Sequence, residues 1–231
     1  MQAVILSGGL GTRLRPFTEV IPKPLLPIGE KAVLEIQIEH LKANGFEHIF
    51  LATNYKSDYI ENFFGNGSKY GVKLTISKED KPLGTAGPVK LLQNQLNDEP
   101  FLVMNGDILT LLPYSKLYDF ACTKETLLTI GTKDIYTPFQ FGNIHTEGDF
   151  VTGIEEKPNI KTTILAGIYI YKPEILDLIP DNTMYNMDKL IIDMLSKGLP
   201  ISHYPIQEYW LDIGQVGDYE KAQSIYKEHF Q

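Results

Sequence analysis

The first apolar stretch of the chain, Ala3–Leu6, runs straight into Ser7-Gly8-Gly9-Leu10-Gly11-Thr12-Arg13-Leu14. Glycines let a backbone come close to phosphates and turn N–H groups toward them, and Arg13 adds a permanently charged fork. A tight strand-to-helix turn would use the same glycines. A P-loop would need Gly-Lys-Ser/Thr at the end of the run, where this chain has Gly11-Thr12-Arg13. A dinucleotide fingerprint would need a third small residue where Leu14 stands and an acid where Thr53-Asn54 stands. Next comes Pro22-Lys23-Pro24, whose lysine, boxed by prolines, is expected on a stiff extended segment off any helix. A further chemical signal is Asn105-Gly106-Asp107, closing the apolar run Phe101–Met104. An acid at a strand's carboxyl end beside a glycine can hold Mg²⁺ shared with phosphates, or can cap the next helix.

Together, Gly8-Gly9-Leu10-Gly11-Thr12-Arg13-Leu14 and Pro22-Lys23-Pro24 resemble the signature of the sugar-phosphate nucleotidyltransferases, or NDP-sugar pyrophosphorylases. The resemblance implies an activity: a sugar 1-phosphate attacks the α-phosphorus of a nucleoside triphosphate, releasing pyrophosphate and an NDP-sugar. It also implies site residues. Leu6, Gly8, Gly9, Gly11, Thr12, Arg13 and Lys23 would hold the nucleotide, with Arg13 and Lys23 neutralising charge as anion meets anion.

Glu79-Asp80-Lys81-Pro82-Leu83-Gly84-Thr85-Ala86-Gly87 is similar to the family's base-reading loop, with Gly84 and Thr85 by the base and ribose and Glu79 at the base edge. A carboxylate suits guanine's paired N1–H and amino donors, could also accept uracil's N3–H, or could be a solvated loop acid. Trp210-Leu211-Asp212-Ile213-Gly214 resembles the family's second metal-binding stretch, which makes Asp107 and Asp212 the expected ligands of Mg²⁺, with Mn²⁺ equally allowed. Phe141-Gly142-Asn143, Glu155-Glu156-Lys157-Pro158 and Ala166-Gly167-Ile168-Tyr169 resemble the sugar side. Asn105, Gly142, Asn143, Glu156, Ala166 and Gly167 would then contact the sugar phosphate. Lys157 would bind its phosphate, completing a catalytic set with Arg13, Lys23 and Asp107.

This chain departs from the family pattern at Ser7, in place of a small apolar residue or cysteine, and at Phe141, in place of a frequent tyrosine. No hexapeptide β-helix repeat follows the last helix. The loop around Pro-Leu-Gly-Thr-Ala-Gly is most like that of guanylyltransferases, so the expected pair is GTP with a mannose or manno-heptose 1-phosphate. A uridylyltransferase is the enzymatic alternative. A non-catalytic, nucleotide-sugar-sensing subunit is the alternative of another class, disfavoured because Arg13, Lys23, Asp107, Lys157 and Asp212 are all retained.

The elements that must position these residues follow from hydrophobic periodicity. Ala3–Leu6, His48–Thr53, Val72–Ser77 and Phe101–Met104 read as strands. Between them come a helix carrying Leu34, Ile38 and Leu41, a second one over Asp58–Phe64 capped by Ser57, and a third crossover over Thr85–Gln95. This rhythm predicts an α/β fold: a Rossmann-like, mostly parallel sheet flanked by helices, with ligands beyond the strands' carboxyl ends. The second half predicts strands over Thr126–Thr132 and Ile164–Tyr171, a hairpin of Gly142–Thr146 and Val151–Glu155, and helices at Pro173–Ile179 and Met187–Lys197. Strands at Ile201–Pro205 and Tyr209–Asp212 and a helix from Val216 complete it, making a β-rich, sugar-binding lid on a single catalytic domain over 1–231. Its nucleotide part covers about 1–110 and its sugar-phosphate part about 111–231.

Composition excludes other classes. Twenty-one basic and 29 acidic side chains leave a formal charge of −8, against nucleic-acid or anionic-membrane binding, which needs a basic face. One cysteine, Cys122, excludes an internal disulfide framework. No segment approaches the roughly 18 uninterrupted apolar residues of a membrane span, and the start lacks a signal peptide's basic and apolar regions. The expectation is a cytoplasmic protein, and a homodimer is compatible with it. His40, His48, His145, His203 and His229 show no spacing that would support a hydrolase triad. His40, on the first helix, is expected to pack or cap.

Overall fold

The computed structural model describes residues 1–54 and 56–230. Strands β1 (Gln2–Leu6), β2 (His48–Thr53), β3 (Lys73–Lys78) and β4 (Phe101–Asn105) are followed by the short β5 (Ile108–Thr110). After them come β6 (Leu128–Pro138), β7 (Asn143–Glu147), β8 (Phe150–Glu155), β9 (Asn159–Tyr171), β10 (Ser202–Pro205) and β11 (Trp210–Asp212). Among the described residues the main sheet has seven strands, in the order β10-β6-β9-β4-β1-β2-β3. β1 pairs in parallel with β4 and β2, β2 with β3, and β10 with β6, whereas β9 is antiparallel to both its neighbours. The α/β expectation holds.

The apolar runs are continuous because both sheet faces are covered. Ala3, Ile5, Leu51 and Leu102 point into one core with α1 (Val33–Ala43) and α2 (Ser57–Phe64), through Leu34, Ile38, Leu41 and Ile60. α3 (Tyr114–Cys122) joins the same face through Tyr114 and Leu117. Val4, Phe50, Phe101 and Val103 point the other way, onto α4 (Met187–Ser196) through Leu190 and Met194. A third cluster packs α5 (Val216–His229) over the first loop, through Ala222 and Tyr226 against Leu14 and Ile28. His40 packs as expected: its ring Nε2–H donates to the Leu112 carbonyl at 2.8 Å and it lies against Tyr114. Cys122 is a free, exposed thiol.

Several local expectations are corrected. Lys23 is not extended but opens a single 3₁₀ turn, Lys23–Leu25, closed by the Leu25 N–H to the Pro22 carbonyl at 2.8 Å. Pro24 fits there because the first residues of a helical turn need no N–H partner. Ser57 does not cap; the helix starts at Ser57 itself, its hydroxyl pairing with that of Thr53 at 3.0 Å. The third crossover is helical only over Gly87–Lys90 and continues in i→i+3 turns, which bring Val89 and Leu92 to the core three residues apart. Pro173–Leu178 is likewise a 3₁₀ segment.

The strand pair β6 and β9 runs well beyond the expected ends at Thr132 and Ile164, pairing as far as Pro138 with Asn159. Out there no core face marks the alternation, and polar links such as Lys161 to Asp134 at 2.8 Å and the Thr163 hydroxyl to Asp134 at 2.7 Å replace it. The hairpin of β7 and β8 crowns this arm. No helix among the described residues is long and apolar enough to cross a membrane.

Candidate active site

Three strand ends meet where the Gly loop begins. In the central strand, Leu6 is in register with Ala52 on one side and Asn105 on the other. The Ser7 N–H then donates to the Ala52 carbonyl at 2.7 Å, and the Gly106 N–H to the Leu6 carbonyl at 2.9 Å. Gly106 has to be a glycine for this closeness: a Cβ there would sit 2.8 Å from the Leu6 oxygen and 2.9 Å from the Ser7 hydroxyl. The loop itself turns at Gly11, at φ +60°, held by the Thr18 hydroxyl donating to its carbonyl at 2.8 Å. Buried Leu14 anchors the turn Thr12–Leu14, leaving Thr12 and Arg13 exposed toward the cleft.

Asp107 and Asp212 come together through a second, small ribbon. β11 lies antiparallel to β5 with Asp212 opposite Ile108, and the Ile213 N–H donates to the Asp107 carbonyl at 2.9 Å. Lys23 forms an ion pair with Asp107 Oδ2, both side chains largely buried. Asp107 Oδ1 and Asp212 Oδ1 are buried and find no hydrogen-bond partner among the described residues. Burial, then the neighbouring Asp107 charge, pushes the Asp212 carboxyl up to about 6, against the pull of Lys23 and Arg13. Gly214 adjoins both groups: a Cβ there would make ordinary contacts, 3.6 Å from Asp212 Oδ1 and 3.7 Å from both terminal nitrogens of Arg13. Two buried, unpartnered carboxylate oxygens on neighbouring aspartates are a donor set for a hard divalent cation. No group of three or more His, Cys, Asp or Glu side chains suited to a metal occurs among the described residues. The other positions of an octahedral site would therefore fall to water or ligand oxygens.

The cleft has two connected parts sharing Leu6, Gly9 and Asp107. One, about 230 Å³, is lined by Gly11, Thr12, Arg13, Lys23 and Asp107. The other, about 430 Å³, is lined by Gly8, Glu79, Leu83, Gly84, Thr85 and Asn105, among others. Glu79 takes the Leu83 N–H on Oε2 at 2.9 Å, and burial pushes its carboxyl above the ordinary value, partly offset by that bond. Gly84, at φ +81°, lies so close to Asn186 that a Cβ would be 2.3 Å from its Oδ1. The Thr85 hydroxyl oxygen accepts the Met187 N–H at 2.8 Å and so caps the start of α4.

The residues expected on the sugar side divide into two groups. Asn105 and Gly167 are joined: Gly167, at φ +69° in the irregular stretch of β9, would place a Cβ 2.6 Å from Asn105 Nδ2. Ala166 is fully buried, its carbonyl accepting the Trp210 indole N–H at 2.8 Å. Gly142, Asn143, Glu156 and Lys157 instead sit together on the hairpin and line neither cavity. A Cβ on Gly142 would lie 3.1 Å from Glu156 Oε2, and Lys157 occupies the left-handed region at φ +49°.

One supporting residue escapes sequence reasoning. Gln37, buried in α1, donates through Nε2 to the carbonyls of Asn105 at 3.1 Å and Ile108 at 2.7 Å, clamping both sides of the Gly106-Asp107 turn. Its only signal in the sequence is an amide between Ile36 and Ile38 on a helix whose inner face is otherwise apolar. The side chain of His229 lies outside the described residues; the other four histidines line neither cavity.

Comparison with known proteins identifies the family. Residues 2–229 match the family model described as nucleotidyl transferase. A curated mannose-1-phosphate guanyltransferase of Yarrowia lipolytica is 37% identical across 98% of this chain and 64% of the relative. A UTP–glucose-1-phosphate uridylyltransferase of Synechocystis is 35% identical across 96% of this chain and 62% of its own length. The chain thus spans a little under two thirds of the length of these curated relatives. Among solved structures, HddC from Yersinia pseudotuberculosis complexed with GMP-PN superposes with a TM-score of 0.76 at 30% identity, covering 97% of this chain and 99% of that one. The strand-end cleft and these likenesses, extending over nearly the whole sequence, make the chain a member of the nucleotidyl transferase family, with the fold of the sugar-phosphate nucleotidyltransferases.

Proposed function

We propose that this chain joins a nucleoside triphosphate to a sugar 1-phosphate, releasing pyrophosphate, and that its preferred pair is GTP with a mannose or manno-heptose 1-phosphate. The observation that carries the reading is the juxtaposition of Asp107 Oδ1 and Asp212 Oδ1, buried and unpartnered, in a cleft that Arg13 and Lys23 also face. A divalent cation, Mg²⁺ or Mn²⁺, held there would neutralise triphosphate oxygens and draw electron density from the α-phosphorus. Gly8, Gly9, Gly11 and Thr12 offer backbone approach to the phosphates. Arg13 and Lys23 meet the charge that builds as pyrophosphate leaves. No protein general base is needed, because the phosphate nucleophile is already ionised, so the protein's contribution is placement and charge stabilisation.

Guanine preference rests on Glu79, whose Oε2 is held by the Leu83 N–H while Oε1 faces Gly8. A carboxylate so fixed matches two adjacent N–H donors better than one. Relatives named as guanylyltransferases support that choice, and the Synechocystis relative supports UTP as the second reading. Glu156 and Lys157 receive the sugar and its phosphate when the hairpin end of the arm comes over the cleft, with Asn105, Ala166 and Gly167 beneath. One 1–231 domain does both jobs, and it works in the cytoplasm. The test is pyrophosphate release across a grid of GTP, UTP, ATP and dTTP with glucose, mannose, heptose and amino-sugar 1-phosphates, with Mg²⁺. Release that is fastest with GTP and a manno-configured sugar is the expected outcome. Fastest release with UTP transfers the reading to uridylyl transfer. No release with any pair, alongside tight NDP-sugar binding, overturns catalysis.

A further inference from the structure

A large apolar side chain stands in the open beside the larger part of the cleft. Met184 is 65% exposed, yet the backbone around it is tied down. The Tyr185 N–H donates to the Leu83 carbonyl at 2.9 Å, and the Tyr185 carbonyl accepts from Ala86 and Gly87 at 2.9 and 3.0 Å. The Met187 N–H donates to the Thr85 hydroxyl at 2.8 Å, and a Cβ on Gly87 would meet the Thr183 carbonyl at 2.8 Å. The segment 183–187 is therefore stitched to the loop 83–87, and Met184 is a fixed point on the rim of the 430 Å³ cavity that Glu79 also lines. On the Gly-loop side, Leu10 lines the same cavity and is 57% exposed. A tied-down backbone under Met184 and a second uncovered apolar side chain, Leu10, lining the same cavity describe a pair of jaws that lacks what lies between them. A flat heterocycle, with its hydrogen-bonding edge toward Glu79, would cover both.

We infer that Met184 is a specificity-determining residue, one jaw of a clamp on the nucleobase, with Leu10 as the other. This rests on the reading of the cleft as a nucleoside triphosphate site. A thioether is soft and polarisable, and it follows the surface of an aromatic ring as a branched side chain does not. A two-ring purine offers it more surface than a pyrimidine, so Met184 adds to the preference that Glu79 sets by hydrogen bonding. The residue belongs to the sugar half of the sequence but serves the base, tying the two halves at one ligand.

The test is equilibrium binding by calorimetry in Mg²⁺ without sugar phosphate, using GTP, UTP and base-free ribose 5-triphosphate on the full chain. Met184→Ala is expected to weaken GTP roughly two- to tenfold, the range of a sulfur–aromatic contact. UTP should weaken less and ribose triphosphate not at all, while Met184→Leu, apolar but branched and without the sulfur, falls between the parent and Met184→Ala. So exposed a side chain contributes little to folding, and equal melting temperatures would verify that. Unchanged GTP binding in Met184→Ala overturns the clamp. So does an equal loss for all three ligands, which would mark a merely structural effect. Failure of the underlying site reading shows elsewhere, in an unsubstituted chain that binds none of the triphosphates, and that outcome removes the clamp as well.

Discussion

Ile213 donates its backbone N–H to the carbonyl of Asp107 at 2.9 Å, and that bond brings carboxylates from the two halves of the chain side by side. Asp107 follows a strand of the main sheet and Asp212 ends a strand of the small ribbon, so neither alone makes a cation site. Together they leave two buried oxygens unpartnered, with Lys23 neutralising one side of Asp107.

The pair opposes folding while it offers the proposed cation its oxygens. With burial and Asp107 pushing the Asp212 carboxyl up to about 6, at pH 7.5 it is ionised at a cost. Asp212→Asn is expected to raise the metal-free Tm by about 2–4 °C, the shift that about 1 kcal/mol gives in a chain of this size. The same substitution should cut turnover on the order of a hundredfold or more. Exposed Lys157, replaced by alanine, should lose turnover with Tm unchanged. Calorimetry beside pyrophosphate release checks both, and a lower Tm for Asp212→Asn would contradict the electrostatic account.

Gln37 should act on the metal site at a distance. Gln37→Leu strands the Asn105 and Ile108 carbonyls, with an expected stability loss of roughly 1–3 kcal/mol in urea. Because the clamp orients the Asp107 turn, Mn²⁺ affinity read by electron paramagnetic resonance should fall roughly 10–100-fold. Leu190→Ala, in the core on the sheet's other face, serves as control: comparable destabilisation with metal affinity kept. Equal Mn²⁺ affinity in both variants would reduce Gln37 to a packing role.

Two glycines of the cleft separate backbone strain from ligand approach. A Cβ on Gly84 meets Asn186 Oδ1 at 2.3 Å and the Tyr185 carbonyl at 2.8 Å, at φ +81°, so Gly84→Ala should destabilise by about 1–3 kcal/mol. A Cβ on Gly9 meets nothing within 4 Å. Gly9→Ala should therefore keep the parent Tm while raising the KM for the triphosphate, because the added methyl stands only in the ligand's way. An unaltered KM would show that the backbone at Gly9 does not approach the phosphates.

The stability contributed by a group outside the cleft should decline in mild acid, opposite in sign to the contribution of Asp212. Burial holds the His40 imidazole below its ordinary 6.5, against the pull of the Leu112 carbonyl. The unfolded chain then takes a proton that the folded chain refuses. Stability from this group is fully present above pH 6.5 and is lost as pH falls below it toward the folded value. His48, also lowered by burial and by Lys73, adds to the same slope. His40→Gln, whose amide can still donate to Leu112, should flatten the decline between pH 7 and 5 in urea titrations. An identical slope would exclude His40 as its source.

Much of this was legible in one dimension. Each strand of the nucleotide half ends in a polar or glycine-rich cluster, so Gly8–Leu14, Glu79 and Asp107 could be assigned to strand ends from the apolar run before them. Lys23 stands out by its prolines, but the extended segment they suggest is a 3₁₀ turn in the structure, because proline suits both extended chain and the first turn of a helix. The reach of β6 and β9 was not legible, because a two-stranded arm standing off the core buries neither face and leaves no alternation to read. Gln37 and Met184 were not legible either. A buried amide and an exposed thioether are defined by what surrounds them, and their sequence neighbours are silent about that.

The sequence by itself determined the chemistry on offer: a Gly loop with its arginine, a lysine between prolines, two carboxylates at strand ends, and an α/β order that sends those ends to one edge. Local pattern suffices there, because strand ends and turns depend on residues a few places apart. Only the tertiary structure decided which of these groups meet. The β5–β11 register set Asp212 beside Asp107, the Gln37 clamp shaped the turn that carries Asp107, and the bonds to loop 83–87 put Met184 at the cavity rim. Those juxtapositions depend on register and packing between segments far apart in the chain, which hydrophobic periodicity does not encode.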